Sequence, residues 1–294
     1  MDTVHTMTEP KTGTLKVPGA TLHYEVRGTG PVLLLIPGGA GDAAAYDHAA
    51  PALADRYTVV SYDPRGLSRS PLDGPPGDQR VDVHSEDAFL LLDAVAPDGE
   101  PAYVFGCSSG AIVAVDLLAR HPERVRLAIA HEPPLVELLP DAETQRAFFA
   151  EVRAAYRREG IGAAVAVMSA GTGPAEDAAE DAAKDAKEKA AGAEPPPRPA
   201  EVIDRMMANF PFFLEHILCP FTGHTPDLEA LEAVSERLVP AGGRDSHGLL
   251  LYRPAVALAE RLGTEVVDFP GGHTGLSEHP AEFTEVLRGI LPRR

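Results

Sequence analysis

The sequence predicts an α/β protein in which helices cover both faces of a mostly parallel central sheet. Two observations lead to this fold class. Short, uninterrupted apolar runs such as Val32–Ile36 are typical of strands that are buried on both faces. Such runs alternate regularly with segments of helical spacing from Val32 to Ala130, and parallel strands require crossover connections of this kind.

Eight segments have the composition of strands. The first two are expected to form an antiparallel pair around the turn Pro18-Gly19, because alternating residues flank a dipeptide that favours a turn. The predicted strands are Leu15–Val17, Thr21–Arg27, Val32–Ile36, Tyr57–Tyr62, Ala102–Phe105, Val125–Ala130, Arg237–Ala241 and Glu265–Phe269.

Helical spacing fills the connections between these strands. Asp42 is a good N-cap, so a helix is expected from there to about Ala54. The further predicted helices are Val81–Val95, Ala111–Arg120, Asp227–Val234, Tyr252–Leu262 and Ala281–Leu291. Between Leu135 and about Pro226 the alternation stops and the chain is helical or irregular, which indicates an insertion of helices over the carboxyl edge of the sheet.

This pattern divides the chain into four parts. Residues 1–13 are predicted to be a disordered tail, 14–134 the first part of the α/β core, 135–225 a helical cap and 226–294 the second part of the core. Within the cap, residues 171–199 join an Ala/Glu/Lys-rich run to Pro195-Pro196-Pro197 and lack an apolar stripe. We expect a solvated helix or a disordered loop there.

Composition excludes some classes of function. The formal net charge of -18 argues against nucleic acid or an anionic membrane surface as a partner. The two cysteines make no disulfide framework, and the polar N-terminus lacks the apolar region of a signal peptide. No apolar run approaches the ~20 residues needed to cross a bilayer. These features favour a cytoplasmic protein with a small-molecule partner, and they leave a homo-oligomer open.

Gly106-Cys107-Ser108-Ser109-Gly110 connects a predicted strand directly to a predicted helix. So sharp a reversal forces its central residue into a positive-φ backbone and requires small residues two positions to either side. The hydroxyl of Ser108 is then held at the end of the sheet, beside a helix N-terminus that favours developing negative charge. This context predicts that Ser108 is a nucleophile, although a serine in a glycine-rich turn can also serve only as a helix cap.

A serine hydroxyl needs a base, and the resulting imidazolium needs a carboxylate. Asp245 follows the strand that ends at Ala241, and His273 follows the strand that ends at Phe269. In a parallel sheet, both loops lie at the same carboxyl edge as the serine turn. The chain order Ser108, Asp245, His273 is the order that the nucleophile-elbow motif predicts.

The chain resembles the α/β-hydrolase superfamily, and the likeness covers most of residues 14–294. The segments that carry it are Gly106–Gly110, similar to the nucleophile elbow, Pro37-Gly38-Gly39, similar to the oxyanion loop, Asp63–Ser70, similar to the D-x-R-G-x-G-x-S turn, and the acid and histidine loops Gly243-Arg244-Asp245 and Gly271-Gly272-His273. Two positions depart from the family pattern. Pro37 stands where a histidine often precedes the oxyanion glycines, and Ser68 replaces the second glycine of the turn.

The resemblance implies a cofactor-free enzyme of the bacterial esterase, lactonase or haloperoxidase-like branch, with Ser108 as nucleophile, His273 as general base and Asp245 as its orienting acid. It also implies an oxyanion hole made by the main-chain N–H groups of Gly39 and Ser109. Glu132 competes with Asp245 for the role of the acid, because His131-Glu132-Pro133-Pro134 ends a strand where some relatives carry it. If Glu132 is not the acid, we expect it and His131 to line the pocket or to anchor the cap.

The sequence therefore favours hydrolysis of an ester, lactone or similar acyl bond in a small to medium, largely apolar substrate. Carbon–carbon hydrolysis and haloperoxidase-like perhydrolysis use the same triad and remain open, as does a non-catalytic small-molecule receptor on the same fold. Metal and phosphate chemistry are not indicated, because the chain contains no His-x-x-x-His, Cys-x-x-Cys or Walker-type pattern.

Overall fold

The fold was determined as a computed structural model, which describes residues 9–96, 98–173 and 199–292. Its centre is an eight-stranded sheet in the order β1-β2-β4-β3-β5-β6-β7-β8. The strands are β1 (Lys11–Val17), β2 (Ala20–Arg27), β3 (Val32–Ile36), β4 (Thr58–Tyr62), β5 (Ala102–Cys107), β6 (Val125–His131), β7 (Leu238–Gly243) and β8 (Val267–Phe269). β1 pairs antiparallel with β2, β2 pairs antiparallel with β4, and every other pairing is parallel. The predicted fold class is confirmed.

β1 begins at Lys11, inside the segment that the sequence analysis treats as a disordered tail. Lys11 pairs with Val26 and Gly13 pairs with Tyr24. A Cβ on Gly13 would lie 2.4 Å from the Tyr24 ring, so the absent side chain lets that ring cross the strand. The prediction of a tail through residue 13 is thus wrong at its end, and residues 1–8 lie outside the described part of the chain.

The helices of the described residues occupy both faces of the sheet. They are α1 (Ala50–Leu53), α2 (Val81–Val95), α3 (Ser109–Arg120), α4 (Ala142–Glu159), α5 (Ile161–Thr172), α6 (Ala200–Phe212), α7 (Leu218–Thr222), α8 (Leu228–Glu232), α9 (Arg253–Leu262), α10 (Gly275–Glu278) and α11 (Pro280–Ile290). Alternate residues of β3 enter two separate cores, as the period of a strand requires. Leu34 joins α2 and α3 on one face, whereas Leu33 and Leu35 join α1 and α11 on the other.

The segment between Asp42 and Ala54 forms two short pieces instead of the single predicted helix. Asp42 does cap, because its Oδ1 accepts the N–H of Ala44 at 3.0 Å, but a 3₁₀ turn over Ala43–Tyr46 follows. The helix α1 then starts anew with Pro51 in its first turn. Proline lacks an N–H group and clashes inside a helix, so a continuous helix through Pro51 is excluded.

Between β6 and β7 the described residues form five helices, α4 to α8, with a π-helical turn at Phe213–Ile217. We call residues 135–173 and 199–226 the helical insertion. It meets the loops at the carboxyl edge of the sheet, where a Cβ on Gly66 would lie 2.3 Å from the ring of Phe212. Most of the charged segment predicted at 171–199 falls outside the described residues. Within the described ranges, no helix is both long enough and apolar enough to cross a bilayer.

Candidate active site

Ser108 stands at the sharp turn between β5 and α3. Its backbone has φ 55° and ψ -123°, so the residue adopts the positive-φ conformation that the motif predicts. Such a conformation is strained for a residue with a side chain and persists only where the surroundings hold it. The N–H of Ser108 donates to the carbonyl oxygen of His131 at 2.9 Å, which ties the turn to the end of β6.

The glycines that flank Ser108 have no room for a side chain. A Cβ on Gly106 would lie 2.3 Å from the carbonyl oxygen of Gly110, and a Cβ on Gly110 would lie 2.3 Å from the carbonyl oxygen of Ile36. Strand, helix and the end of β3 therefore approach each other as closely as the backbone allows, which holds the serine turn rigidly in place.

Glu132 follows β6 directly and is fully buried. It too has a positive φ, 47°, so the turn after β6 is strained like the turn after β5. Its own N–H donates to the carbonyl oxygen of Ala241 at 2.8 Å, and its Oε1 accepts the N–H of Gly243 at 2.8 Å. Both bonds fasten Glu132 to β7.

The other carboxylate oxygen of Glu132 meets His273, in the loop after β8. Oε2 of Glu132 lies 2.6 Å from Nδ1 of His273. Burial raises the pKa of Glu132, but the hydrogen bonds and positive charge of His273 outweigh it and hold that pKa below its ordinary value. An ionised carboxylate only accepts hydrogen bonds, so Nδ1 of His273 is the donor, and Nε2 is the nitrogen that carries the lone pair when the ring is neutral.

Asp245 does not take the position that the sequence analysis expects. The residue is exposed in the 3₁₀ turn Arg244–Ser246, and its carboxylate forms no hydrogen bond within the described part of the chain. Its backbone N–H donates to the carbonyl oxygen of Gly271 at 3.0 Å. The prediction of Asp245 as the partner of His273 is therefore wrong, and the alternative partner, Glu132, is the one that makes the contact.

The glycine loop after β3 packs directly on the serine turn. A Cβ on Gly38 would lie 2.3 Å from the carbonyl oxygen of Cys107 and 2.7 Å from Cβ of Ser108. Gly39 has φ 59°, and its N–H donates to the hydroxyl oxygen of Ser109 at 2.9 Å. Gly39 and Ser109 are thus neighbours, because the hydroxyl oxygen of Ser109 accepts the N–H of Gly39.

His131, the last residue of β6, is buried beside the site. Its ring is fully buried against the rings of Phe269 and Phe283, and its Nδ1 lies 3.7 Å from Sγ of Cys107. Burial lowers the pKa of His131 to about 4, even though the charge of Glu132 acts in the opposite direction. Burial also raises the pKa of Cys107 to about 12, so its thiol stays protonated and is no second nucleophile at neutral pH.

A narrow cleft of about 10 Å³ lies beside Gly39 and Ser109. Its walls are mostly apolar and come from the sheet, from α2 and α3 and from the helical insertion. Among them are Tyr62, Leu67, Val113, Ile217 and Phe221. His84 also lines the cleft, where burial lowers its pKa to about 3 and keeps it neutral. Tyr62 and His84 were not predicted to lie here, because nothing in their local sequence pattern places them near the serine turn.

No group of three or more histidine, cysteine, aspartate or glutamate side chains suited to a metal occurs within the described ranges. The strained serine and the carboxylate–histidine pair at one edge of a mostly parallel sheet define an α/β protein of the hydrolase class.

Comparison with known proteins agrees with this class. Residues 31–167 match the model of the family described as alpha/beta hydrolase fold. The hydrolase YraK of Bacillus subtilis (strain 168) is 41% identical over 287 residues, which cover 96% of this chain and 96% of that protein. A zearalenone hydrolase of Bionectria ochroleuca is 36% identical over 117 residues, or 40% of this chain and 44% of its own.

The solved structure of a thermophilic esterase from Thermogutta terrifontis, with malate bound, superimposes with a TM-score of 0.70 at 20% identity. The match covers 96% of this chain and 97% of the esterase. At 20% identity it shows only that the two proteins share a fold. The chain belongs to the α/β-hydrolase superfamily.

Proposed function

We propose that the protein is a cofactor-independent serine hydrolase that cleaves an ester, lactone or similar acyl bond in a small to medium, largely apolar substrate. One observation carries the proposal: Ser108 in its strained turn and the hydrogen-bonded pair of Glu132 and His273 lie in loops at the carboxyl edge of one sheet. A nucleophile elbow followed by a histidine and a buried carboxylate on neighbouring strand ends is the arrangement that acyl transfer requires.

In the first step, the hydroxyl oxygen of Ser108 attacks the carbonyl carbon of the substrate, and Nε2 of His273 takes the hydroxyl proton. The positive charge that forms on the imidazole is stabilised by the carboxylate of Glu132, 2.6 Å from Nδ1. Because Glu132 is buried and its other oxygen is held by the amide of Gly243, it keeps the ring in the required tautomer and orientation.

The oxyanion that develops on the substrate is received by main-chain N–H groups of Gly39 and Ser109. The N–H of Ser109 belongs to the first turn of α3, where amides lack an intrahelical partner and the helix dipole favours negative charge. At rest the N–H of Gly39 donates to the hydroxyl oxygen of Ser109. When the oxyanion forms, this N–H donates to the oxyanion instead.

After the leaving group departs with the proton from His273, a water molecule enters. His273 takes a proton from this water, which attacks the acyl-enzyme and releases the acid. The same residues therefore serve both half-reactions, and no further group is needed.

The cleft beside the oxyanion donors indicates the polarity of the substrate, because its walls are mostly apolar. Ile217 and Phe221 of the insertion form part of its wall, so we propose that residues 135–225 act as a cap that admits small apolar groups.

The proposal is tested with Ser108→Ala and with a fluorophosphonate probe. The parent protein is expected to react with the probe at Ser108 and to hydrolyse activated short-chain esters, whereas the variant does neither. A substrate panel of esters, lactones, diketones and zearalenone then identifies the bond that is cleaved. Retention of ester hydrolysis by Ser108→Ala would refute the mechanism. A folded parent that neither reacts with the probe nor hydrolyses any ester would instead indicate a binding protein.

A further inference from the structure

The oxyanion loop and the helical insertion are joined by a buried polar network. Its members are Asp42 after the glycine loop, Ser68 in the turn after β4, and Arg205 and Asn209 on α6. Asp42 is 4% exposed and Asn209 is 5% exposed. Buried polar groups of this kind are stable only when all are hydrogen-bonded, so their contacts define one specific arrangement of the three segments.

Asn209 uses its whole side-chain amide in this network. Its Nδ2 donates to the carbonyl oxygen of Ala40 and to Oγ of Ser68, both at 2.9 Å. Its Oδ1 accepts the backbone N–H of Ser68 at 2.7 Å. The amide orientation follows from these partners, since a flipped amide would place two donors against each other at Ser68.

Ser68 stands where the related D-x-R-G-x-G-x-S turns carry a glycine, and it keeps the conformation of a glycine, with φ 46°. A side chain in that region is strained. The hydroxyl makes use of this position, because it donates to Oδ2 of Asp42 at 2.9 Å while accepting from Asn209. Oδ2 of Asp42 also accepts from Nε of Arg205 at 2.8 Å.

The network contacts the oxyanion loop next to Gly39, a residue that steric contacts do not fix. Gly39 has no atom of the described residues within 4 Å of the position that a Cβ would occupy, and glycine rotates readily between backbone conformations. The peptide group between Ala40 and Gly41 is held at both ends. The N–H of Gly41 donates to the carbonyl oxygen of Gly38 at 2.9 Å, and the carbonyl oxygen of Ala40 accepts from Nδ2 of Asn209.

We propose that Asn209, supported by Ser68, is a positioning residue of the hydrolytic reaction, which aims the amide of Gly39 by holding the carbonyl of Ala40. This inference rests on the proposed function and deepens it. The insertion thereby contributes to oxyanion stabilisation as well as to the substrate cleft, since α6 must be seated for the loop to be held. Among the described residues the side chain of Asn209 bonds to Ala40 and Ser68 and not to Ser108, so it acts through the loop.

The test compares Asn209→Ala and Ser68→Gly with Arg157→Gln. Arg157 pairs with Glu215 inside the insertion, with Nε 3.0 Å from Oε2, and contacts no part of the oxyanion loop, so it is a matched control. The variants are assayed with a short p-nitrophenyl ester, with kcat expressed per site that reacts with a fluorophosphonate. The melting temperature and the amide hydrogen exchange of residues 37–42 are measured in parallel.

Asn209→Ala is expected to lower kcat roughly 10- to 100-fold with little change in KM, as misplaced catalytic donors do. It should also accelerate exchange in residues 37–42. Ser68→Gly keeps the positive φ without strain but loses the hydroxyl, so kcat should fall about 3- to 10-fold while the melting temperature changes little. Arg157→Gln should match the parent in every measurement.

Parent-like kcat and parent-like exchange in both Asn209→Ala and Ser68→Gly would overturn the positioning role. So would a fall in melting temperature alone, which is the result of a purely structural contact. If the parent neither reacts with the probe nor hydrolyses esters, the proposed function fails. The exchange of residues 37–42 then still decides whether Asn209 holds the loop.

Discussion

Oε2 of Glu132 lies 2.6 Å from Nδ1 of His273, although 141 residues separate them in the chain. The contact selects between the two carboxylates that follow neighbouring strands, Glu132 after β6 and Asp245 after β7. Glu132 is fully buried. It is fixed by hydrogen bonds to the carbonyl oxygen of Ala241 and the N–H of Gly243, whereas Asp245 is exposed. The orienting acid of this enzyme is therefore expected on β6.

Glu132→Gln should lower kcat about 10⁴-fold, the loss expected when an orienting carboxylate becomes an amide. The glutamine oxygen can still accept the N–H of Gly243, so the variant should fold. Its NH₂ group then faces Nδ1 of His273 and selects the wrong tautomer. Asp245→Asn is the matched control and should keep the activity of the parent in the same ester assay. Loss of activity in Asp245→Asn, with a parent-like Glu132→Gln, would reverse the assignment.

Gly38→Ala should disrupt the junction between the oxyanion loop and the serine turn. The added Cβ would lie 2.3 Å from the carbonyl oxygen of Cys107, and backbone cannot yield as a flexible side chain does. Overpacking of this kind destabilises a protein by about 1–3 kcal/mol, and the displaced loop should abolish most ester hydrolysis.

The matched control is Gly74→Ala, in an exposed loop where no atom of the described residues lies within 4 Å of the new Cβ. Urea unfolding and kcat together check the prediction. Equal stability and activity in the two variants would mean that the close contact at Gly38 is absent in solution.

Ser109→Ala examines the hydrogen bond between the amide of Gly39 and the hydroxyl of Ser109, 2.9 Å long at rest. If that amide must leave the hydroxyl to reach the oxyanion, removing the hydroxyl should free it. A neutral hydrogen bond contributes about 0.5–1.5 kcal/mol, so the rate of acylation should rise by about 2- to 10-fold. Stopped-flow measurement of the burst with a p-nitrophenyl ester gives this rate. A fall of ten-fold or more would instead identify the hydroxyl itself as an oxyanion donor.

The central sheet could be predicted from the sequence because its information is local. Uninterrupted apolar runs such as Val32–Ile36 indicate strands buried on both faces, and all eight predicted strands occur. The positive φ of Ser108 was also predictable, since the tight strand-to-helix reversal requires it. The error between Asp42 and Ala54 had a local signal as well, because Pro51 excludes a continuous helix.

The choice of Glu132 over Asp245 had no such local signal. It depends on the strained turn at Glu132 and on the bond from the N–H of Asp245 to Gly271, which only the assembled loops create. The contacts of Asn209 could not be predicted from local sequence either. Asn209 and Ala40 are 169 residues apart in the chain, and nothing in the sequence around Asn209 indicates that they meet. A single sequence indicates which residues reach the sheet edge, but not which of them meet.

The buried ring of His131 should make the protein less stable in mild acid. Burial lowers the pKa of His131 to about 4, while an unfolded chain keeps it near about 6.5. Between these values the unfolded state binds a proton that the folded state does not, so the free energy of unfolding rises with pH in this window and falls as the pH drops through it. Of the ionisable groups that face the ring, Glu132 raises this pKa and His273 lowers it, and both effects are smaller than that of burial.

His131→Phe should therefore flatten the pH dependence of stability. At 1.36 kcal/mol for each pKa unit, His131 accounts for about 2 kcal/mol of the difference between the unfolding free energies at about pH 7 and about pH 5. Phenylalanine fits among Phe269 and Phe283, and it removes an Nε2 that has no partner within the described residues. The buried His84, with its pKa lowered to about 3, still titrates in the variant, so part of the slope should remain. Urea unfolding at the two pH values measures the difference, with the exposed His279→Gln as a control that keeps the slope of the parent. An unchanged slope in His131→Phe would mean that this histidine is not held neutral by the fold.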